Sequence, residues 1–420
     1  MKKQILIGAM ALAAMNVGAQ VVVDTVYTGA GYANNIWYSL ANDNQGTAPK
    51  NNWDLAFDAS GFGSTIHINT IAGAMLWNYP NSAAAGWASV DTTGLYTWPA
   101  RYNSDTSWEL GAMGRYANAG DPTDLDWGHY NMTTHAITGD SIYIVKLGDG
   151  SYKKLVIESL ISGTYSFKYA NLDGTSPQTA TLAKSAYTGK NFGYYSLQTN
   201  AALDREPATA NWDLFFGQYT TFIPVAYGVT GVLANRGVQV AKFTALVDKT
   251  TFTAYSTGTF KTAINTIGYN WKSYNSSTMA YDIKDSVVYF AETSNGEIWK
   301  MIFTGFASSN GAMMFSKEKL FTPPTSVNGA ASTVASVAVY PNPTSATTSQ
   351  ANVIYSFPMA VTAANIIITD ITGRTVLADV LDGATGMHQY VIPTANLLPG
   401  LYIINISAGR YSTQQKLIMN

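Results

Sequence analysis

No cysteine occurs anywhere in the 420 residues. That absence excludes disulfide staples, thiolate metal sites, cysteine nucleophiles and lipid attachment to an N-terminal cysteine. Charge is also scarce: Asp, Glu, Lys and Arg make up 12% of the chain and nearly cancel, at a net −2. About twice that share is usual, and no basic stripe marks a nucleic-acid footprint. Histidine appears four times, so most nucleophilic mechanisms lack their parts. There is no Gly-x-Ser-x-Gly elbow, no His-Glu-x-x-His pair and no phosphate-cradling glycine loop before a helix. Beyond the first fifteen residues no apolar run approaches 18, so no transmembrane helix is expected in the mature protein.

What remains is apolar and aromatic. Hydrophobic residues make up 47% and aromatics 13%, with 27 tyrosines, a composition that favours strands over helices in a globular body. Met1-Lys2-Lys3, an apolar run from Ile5 to Met15, and Val17-Gly18-Ala19 before Gln20 read as a secretory signal peptide over residues 1–19. Next comes Asn52-Trp53-Asp54-Leu55-Ala56-Phe57, which returns as Asn211-Trp212-Asp213-Leu214-Phe215-Phe216, with Trp212 standing 159 residues after Trp53. Tyr27-Thr28-Gly29 and Trp37-Tyr38-Ser39-Leu40 are echoed by Tyr187-Thr188-Gly189 and Tyr194-Tyr195-Ser196-Leu197. Trp127-Gly128-His129-Tyr130-Asn131 is echoed by Trp271-Lys272-Ser273-Tyr274-Asn275. A repeat of domain size is a tandem duplication rather than a solenoid.

In each copy a hairpin closes the pattern. Ile142–Lys146 turns at Asp149-Gly150 into Tyr152–Ile157, and Val287–Ala291 turns at Asn295-Gly296 into Ile298–Phe303, both with hairpin turn dipeptides. Val21–Thr28, Trp37–Leu40, Trp53–Phe57 and Ser64–Thr70 also read as strands, and residues 72–126 as long loops with short strands. Residues 322–336, opening Thr322-Pro323-Pro324, form a linker. Seven short β-branched strands over residues 337–420 predict a small antiparallel sandwich. The expected organisation is all-β: body copies at 20–176 and 177–321, the linker, and the sandwich.

Several side chains invite chemistry. Asp121, Asp124 and Asp126 crowd one loop beside Gly120 and offer hard oxygen ligands for calcium, although their spacing fits no calcium-loop template. Acidic loops are common without a metal. In Trp53-Asp54 and Trp212-Asp213 the plain expectation is a tryptophan packing a sheet while the carboxylate caps a turn. Trp77, Trp87, Trp98 and Trp108 could stack on a sugar or porphyrin, but core and rim aromatics account for them as well.

Tyr340-Pro341-Asn342-Pro343, Asp370-Ile371-Thr372-Gly373-Arg374, Leu398-Pro399-Gly400-Leu401-Tyr402 and a Lys416 near the chain end occur in the order of the type A sorting domain of the type IX secretion system. Residues 337–420 resemble that domain throughout. The resemblance implies Sec export with loss of the signal peptide, then passage through the type IX machinery to the cell surface or the medium. A sortase usually removes the tag. The same domain read without the resemblance is an immunoglobulin-like module.

Each body copy resembles the HmuY family of β-rich haemophore-like proteins. The residues that carry this are Trp37-Tyr38-Ser39-Leu40, Asn52-Trp53-Asp54 and the Trp127 region in the first copy, and Tyr195-Ser196, Asn211-Trp212-Asp213 and the Val287–Phe303 hairpin in the second. The lipidated N-terminal cysteine of many relatives is missing here. The resemblance implies haem held by His or Met ligands. In the first copy His129, Met132 and His135 follow Trp127, with His67 and Met113 as other partners, while the second copy has no histidine. No ligand pair transfers position by position; His67, His129 and His135 also read as ordinary strand and loop residues. The expected function is a non-enzymatic exported binding protein with haem as its specific candidate ligand. The alternatives are an adhesive or structural surface protein contacting glycans or other macromolecules, or a glycan-acting enzyme.

Overall fold

A computed structural model describes residues 20–420 except 81–83, 324–335, 346–349, 358–360, 362–363, 372, 396 and 409–410. The signal peptide, most of the linker, and Thr372 of the sorting motif lie outside the described residues. Among the described residues the secondary structure is strands and short 3-10 turns, so the fold is all-β. No helix among them is long and apolar enough to cross a membrane. The chain divides into two compact units, one ending at Pro323 and one running from there to Asn420.

Within the first unit the two sequence copies exchange strands across residues 176/177. The opening strand Val22–Tyr27 pairs antiparallel with Ala312–Phe321, the last strand of the second copy. Gln178–Ala183, which opens the second copy, pairs with Thr164–Asn171 of the first. The next pairings repeat with the same register. Asn34–Ser39 lies against Leu214–Phe222, with Tyr38 opposite Leu214 and Trp37 opposite Phe215. Phe192–Ser196 lies against Leu55–Asp58, with Tyr195 opposite Leu55 and Tyr194 opposite Ala56. Two four-stranded sheets result, each with strands from both copies.

The period-2 alternation of strands explains why these pairings are unique. Along Asn34–Ser39 and its continuation, Ile36, Tyr38 and Leu40 join Val26 in a core otherwise built from 214–315. Tyr195 and Leu197 enter a core otherwise built mainly from 55–169. A one-residue slip would turn these buried side chains outward, and each fully buried large side chain contributes about 1.5–3 kcal/mol. Trp127 and Trp271, equivalent in sequence, are buried in the two respective cores. Both expected hairpins form, and Gly150 and Gly296 supply the positive φ their turns need (87° and 82°).

The Asn-Trp-Asp motif of each copy does not begin as a strand. The strands begin at Leu55 and Leu214, and the preceding aspartates turn their carboxylates to the other copy. Asp54 Oδ2 accepts the amide of Leu197 at 2.7 Å and the hydroxyl of Ser196 at 3.2 Å. Asp213 Oδ2 accepts the amide of Leu40 at 2.7 Å. Asn69 and Asn235 repeat the same device: each donates its side-chain amide to the carbonyl of the motif tryptophan, Trp53 or Trp212, at 2.9 and 2.7 Å. The turn-capping expectation for both carboxylates agrees with these bonds.

The second unit contains seven strands among the described residues, in antiparallel sheets of three and four. Val353, Tyr355 and Ile392 of one sheet and Ile366, Ile368, Ile404 and Leu417 of the other share one core, as the strand count in the sequence leads one to expect.

Candidate functional site

The faces of the two mixed sheets that do not enter the cores line a common cavity of about 110 Å³. Alternation puts them there. Trp37 and Phe215 are a cross-strand pair, their rings edge to face at 6.0 Å, and Tyr194 sits opposite Ala56. His67 and Leu233 occupy the same register position in the two copies, paired with Ala56 and Phe215 respectively. All six residues line the cavity. Cavity walls are therefore paired by topology but different in chemistry.

Polar groups are held in fixed positions. Arg205 donates from Nε to the Asn52 side chain at 2.7 Å and from Nη2 to the Pro49 carbonyl at 2.6 Å. Its guanidinium lies 4.8 Å from the centre of the Tyr194 ring, 5.5 Å from Trp53 and 5.7 Å from Trp37. The neighbouring Glu206 is buried and accepts from the Phe192 amide at 2.7 Å and the Tyr194 hydroxyl at 2.9 Å. Burial pushes its carboxyl up to about 7. His67 Nε2 is 2.8 Å from the Trp108 carbonyl, and burial pulls its imidazole down to about 4, so the ring is neutral and Nε2 is the donor. Lys50 reaches in from the rim, donating to the Gly31 carbonyl and to Gln218.

Two donors in these walls have no partner. The indole N–H groups of Trp53 and Trp212, the equivalent tryptophans of the two copies, are buried without a hydrogen bond. Buried donors are almost always satisfied, so this pair stands out.

Of the ligand candidates singled out from the sequence, His67 lines the cavity and the others lie elsewhere. His129 and His135 belong to one exposed hairpin loop, with Met132 between them at 66% exposure. His129 Nδ1 bonds the Asp140 carboxylate at 2.7 Å, which raises its pKa, and Nε2 is 3.6 Å from Asp121. His135 Nδ1 bonds the Tyr130 hydroxyl at 2.6 Å. Met113 is fully buried in the first core. The three loop aspartates are spent separately. Asp121 accepts from the Thr123 amide and hydroxyl. Asp124 accepts from the amides of Asn118 and Asp126, and Asp126 pairs with Arg101 and caps the Gly114 amide. Among the described residues no group of three or more His, Asp and Glu is placed to hold a metal ion.

Of the four loop tryptophans, Trp108 lines the cavity and Trp77 is buried in a cluster of its own. Arg205 and Glu206 went unread in the sequence. The available signal was an adjacent charged pair just before a motif, where Thr47-Ala48-Pro49 of the first copy carries none.

In the second unit the sorting-motif residues sit at corners. Asn342 donates to the Lys416 carbonyl at 2.7 Å and accepts from the Ile418 amide at 2.9 Å, tying Tyr340-Pro341-Asn342-Pro343 to the last strand. Asp370 accepts from the Arg374 amide at 3.1 Å and its Nε at 3.0 Å, across a turn where Gly373 takes φ 85°. Gly400 and Leu401 open the strand that pairs with the chain end, and the Tyr402 hydroxyl donates to the Leu398 carbonyl at 2.9 Å.

No curated protein matches the chain. Among solved structures the chain is similar to the crystal structure of dimeric latent PorU from Porphyromonas gingivalis. Identity is 10% and the TM-score 0.18, with 68% of this chain and 26% of that one covered. The chain thus spans about a quarter of that protein's length. One family model matches, that of the secretion system C-terminal sorting domain, over residues 338–420. These residues carry a sorting tail, which marks the protein for export by the type IX secretion system to the cell surface or the medium.

Proposed function

We propose that the exported body is a non-enzymatic small-ligand-binding protein, and that its site is the cavity between the two mixed sheets. The observation that carries this reading is the pair of unpartnered indole N–H groups, Trp53 and Trp212, in walls that are otherwise hydrogen-bonded. Both cavity carboxyls are engaged, Glu206 by Phe192 and Tyr194 and Asp105 by Thr221 and Asn265, an arrangement that suits holding a ligand better than turning one over. A ligand that binds only the folded chain must raise its melting temperature. The test is a thermal-shift panel on the full chain with haemin, neutral sugars, acidic sugars and aromatic acids. If no class moves the transition, the binding reading fails.

A second reading, haem capture as in the HmuY family that each copy resembles, draws on the loop that presents His129, Met132 and His135 together on the surface. Haemin titration should then give a Soret shift that disappears in the triple variant His129→Ala, Met132→Ala, His135→Ala. An unchanged Soret band in the parent chain would end it.

A further inference from the structure

We propose that two copies of this chain pair edge to edge through the opening strand Val22–Tyr27, joining their five-stranded sheets across a two-fold axis. That strand ends its sheet. It pairs with Ala312–Phe321 on one side, and among the described residues no strand pairs with it on the other. The register runs without a break from Val22 opposite Lys317 to Tyr27 opposite Ala312, and just beyond it the Thr28 amide donates to the Gly311 carbonyl at 3.1 Å. Backbone groups alternate sides along an antiparallel pair. Val22, Asp24 and Val26 therefore bond inward as Thr28 does, and Val23, Thr25 and Tyr27 aim their amides and carbonyls at the open edge.

Exposed edges are commonly guarded by lysine, proline or a bulge. Val22–Tyr27 has none of these, and Val23 and Tyr27 are 74% and 58% exposed. A matching edge elsewhere in the body gives the comparison. Gln178–Ala183 ends its own sheet on Thr164–Asn171. Phe167 and Phe315, stacked on Phe57 and Phe216 in the two cores, align the edges, for Phe167 faces Ala180 and Phe315 faces Asp24. On that alignment the inward positions Leu182 and Val26 are both buried and apolar. The positions of Val22, Val23 and Tyr27 are held by Gln178, Thr179 and Ala183. The fold thus tolerates polar or small residues there, and only the first edge carries an apolar surface.

The strand complements itself. Laid antiparallel on a second copy about Thr25, it sets Thr25 against its own counterpart and Val23 against Tyr27 of that copy. These are the residues with outward backbone groups, so about six backbone hydrogen bonds form. Thr–Thr and aromatic–β-branched cross-strand pairs are both favourable. Asp24 then faces Val26. Its carboxylate already accepts the Tyr38 hydroxyl and, at 2.6 Å, the Thr25 amide, which exchanges that bond for a carbonyl of the second copy. Slipping the register one way would oppose Asp24 to Asp24, and slipping it the other would set Val23 against Gly29, past the strand end. A net charge of −2 puts little repulsion in the way of self-association.

The experiment is sedimentation velocity on the full chain over about 1–500 µM, since an interface of one strand pair is small and weak. The sedimenting mass should climb from that of one chain toward twice that value. Val23→Lys should hold it at one chain throughout, and Thr179→Lys, the matching change on the polar edge, should leave the dimer in place. A second measurement decides the matter should Val23→Lys fail to fold. The chain has no cysteine, so Thr25→Cys places a sole thiol at the two-fold axis. A short bis-maleimide should link it into a covalent dimer, and should leave Thr181→Cys, its counterpart on the other edge, unlinked. A chain that stays single at every concentration would overturn the proposal. So would a dimer that survives Val23→Lys, a dimer lost in Thr179→Lys, or equal linking at the two cysteine positions.

Discussion

The guanidinium of Arg236, in the second copy, lies 2.7 Å from the carboxylate of Asp58 in the first. Asp58 is buried and also accepts the amide and hydroxyl of Ser60 at 2.8 and 2.6 Å. Removing one member of such a pair strands the other charge away from water. Arg236→Ala should therefore cost about 3 kcal/mol, read as a lower urea midpoint. The conservative Arg236→Lys should recover only part of it, because a lysine cannot reproduce the two-nitrogen contact. A loss below about 0.5 kcal/mol would show that this cross-copy pair is incidental.

The two motif aspartates should behave alike. Asp54→Ala unpairs the Leu197 amide, and Asp213→Ala unpairs the Leu40 amide. Each should cost about 1–3 kcal/mol, the penalty of leaving a buried donor without its acceptor. Because the two sites share no partner, the double variant should cost about the sum. Denaturant titration of the four proteins checks both the size and the additivity.

Stability should depend on pH through two buried groups that act in opposite senses. Glu206 holds its proton up to about pH 7 in the folded chain, whereas its ordinary value is 4.5. Between those limits unfolding releases a proton, so stability falls as pH rises through 7. His67 is lowered from 6.5 to about 4, so unfolding takes up a proton in that window and stability falls as pH drops from 6.5 toward 4. The two slopes oppose each other from 4.5 to 6.5, and Glu206 alone acts from 6.5 to 7. Glu206→Gln should flatten the decline between pH 6 and 7.5, as measured by urea midpoints, and leave the acid limb in place. A decline that persists unchanged in that variant would assign it to another group.

Deleting residues 338–420 should leave the body in the periplasm, as judged by immunoblots of cell fractions and medium. Within the tail, Asp370→Ala removes two exposed bonds, from the Arg374 amide and from its side chain, which is 74% exposed, so its effect on stability should be small. Export of that variant, compared with its melting curve, separates a recognition role for the Asp370–Arg374 turn from a structural one.

How much of this was legible in the sequence differs from segment to segment. The sandwich was, because its seven β-branched strands alternate cleanly and are separated by Pro and Gly. The hairpins at Gly150 and Gly296 were too, since the turn residues announce them. The matching landmarks set two similar stretches of sequence side by side, but strand partnership is not a local property. Tyr38 reads the same whether its neighbour is Leu55 or Leu214, and only the assembled sheets choose Leu214. The cavity was hidden for the same reason. His67 sits between Ile66 and Ile68 and reads as an ordinary strand residue, while its neighbours in space, Trp108 and Phe192, come from distant loops and the other copy. Arg205 lies beside Trp37 only because the sheets interleave.

That interleaving has a bearing on ancestry and on dilution. A gene holding one copy would make a chain with its opening strands unsatisfied, and two such chains trading those strands would form a symmetric pair. Joining the copies end to end turns that meeting into an intramolecular event, so the partner stays at high effective concentration however thinly the protein is spread outside the cell. In a single chain the two halves need not be identical, and facing positions such as His67 and Leu233 do differ.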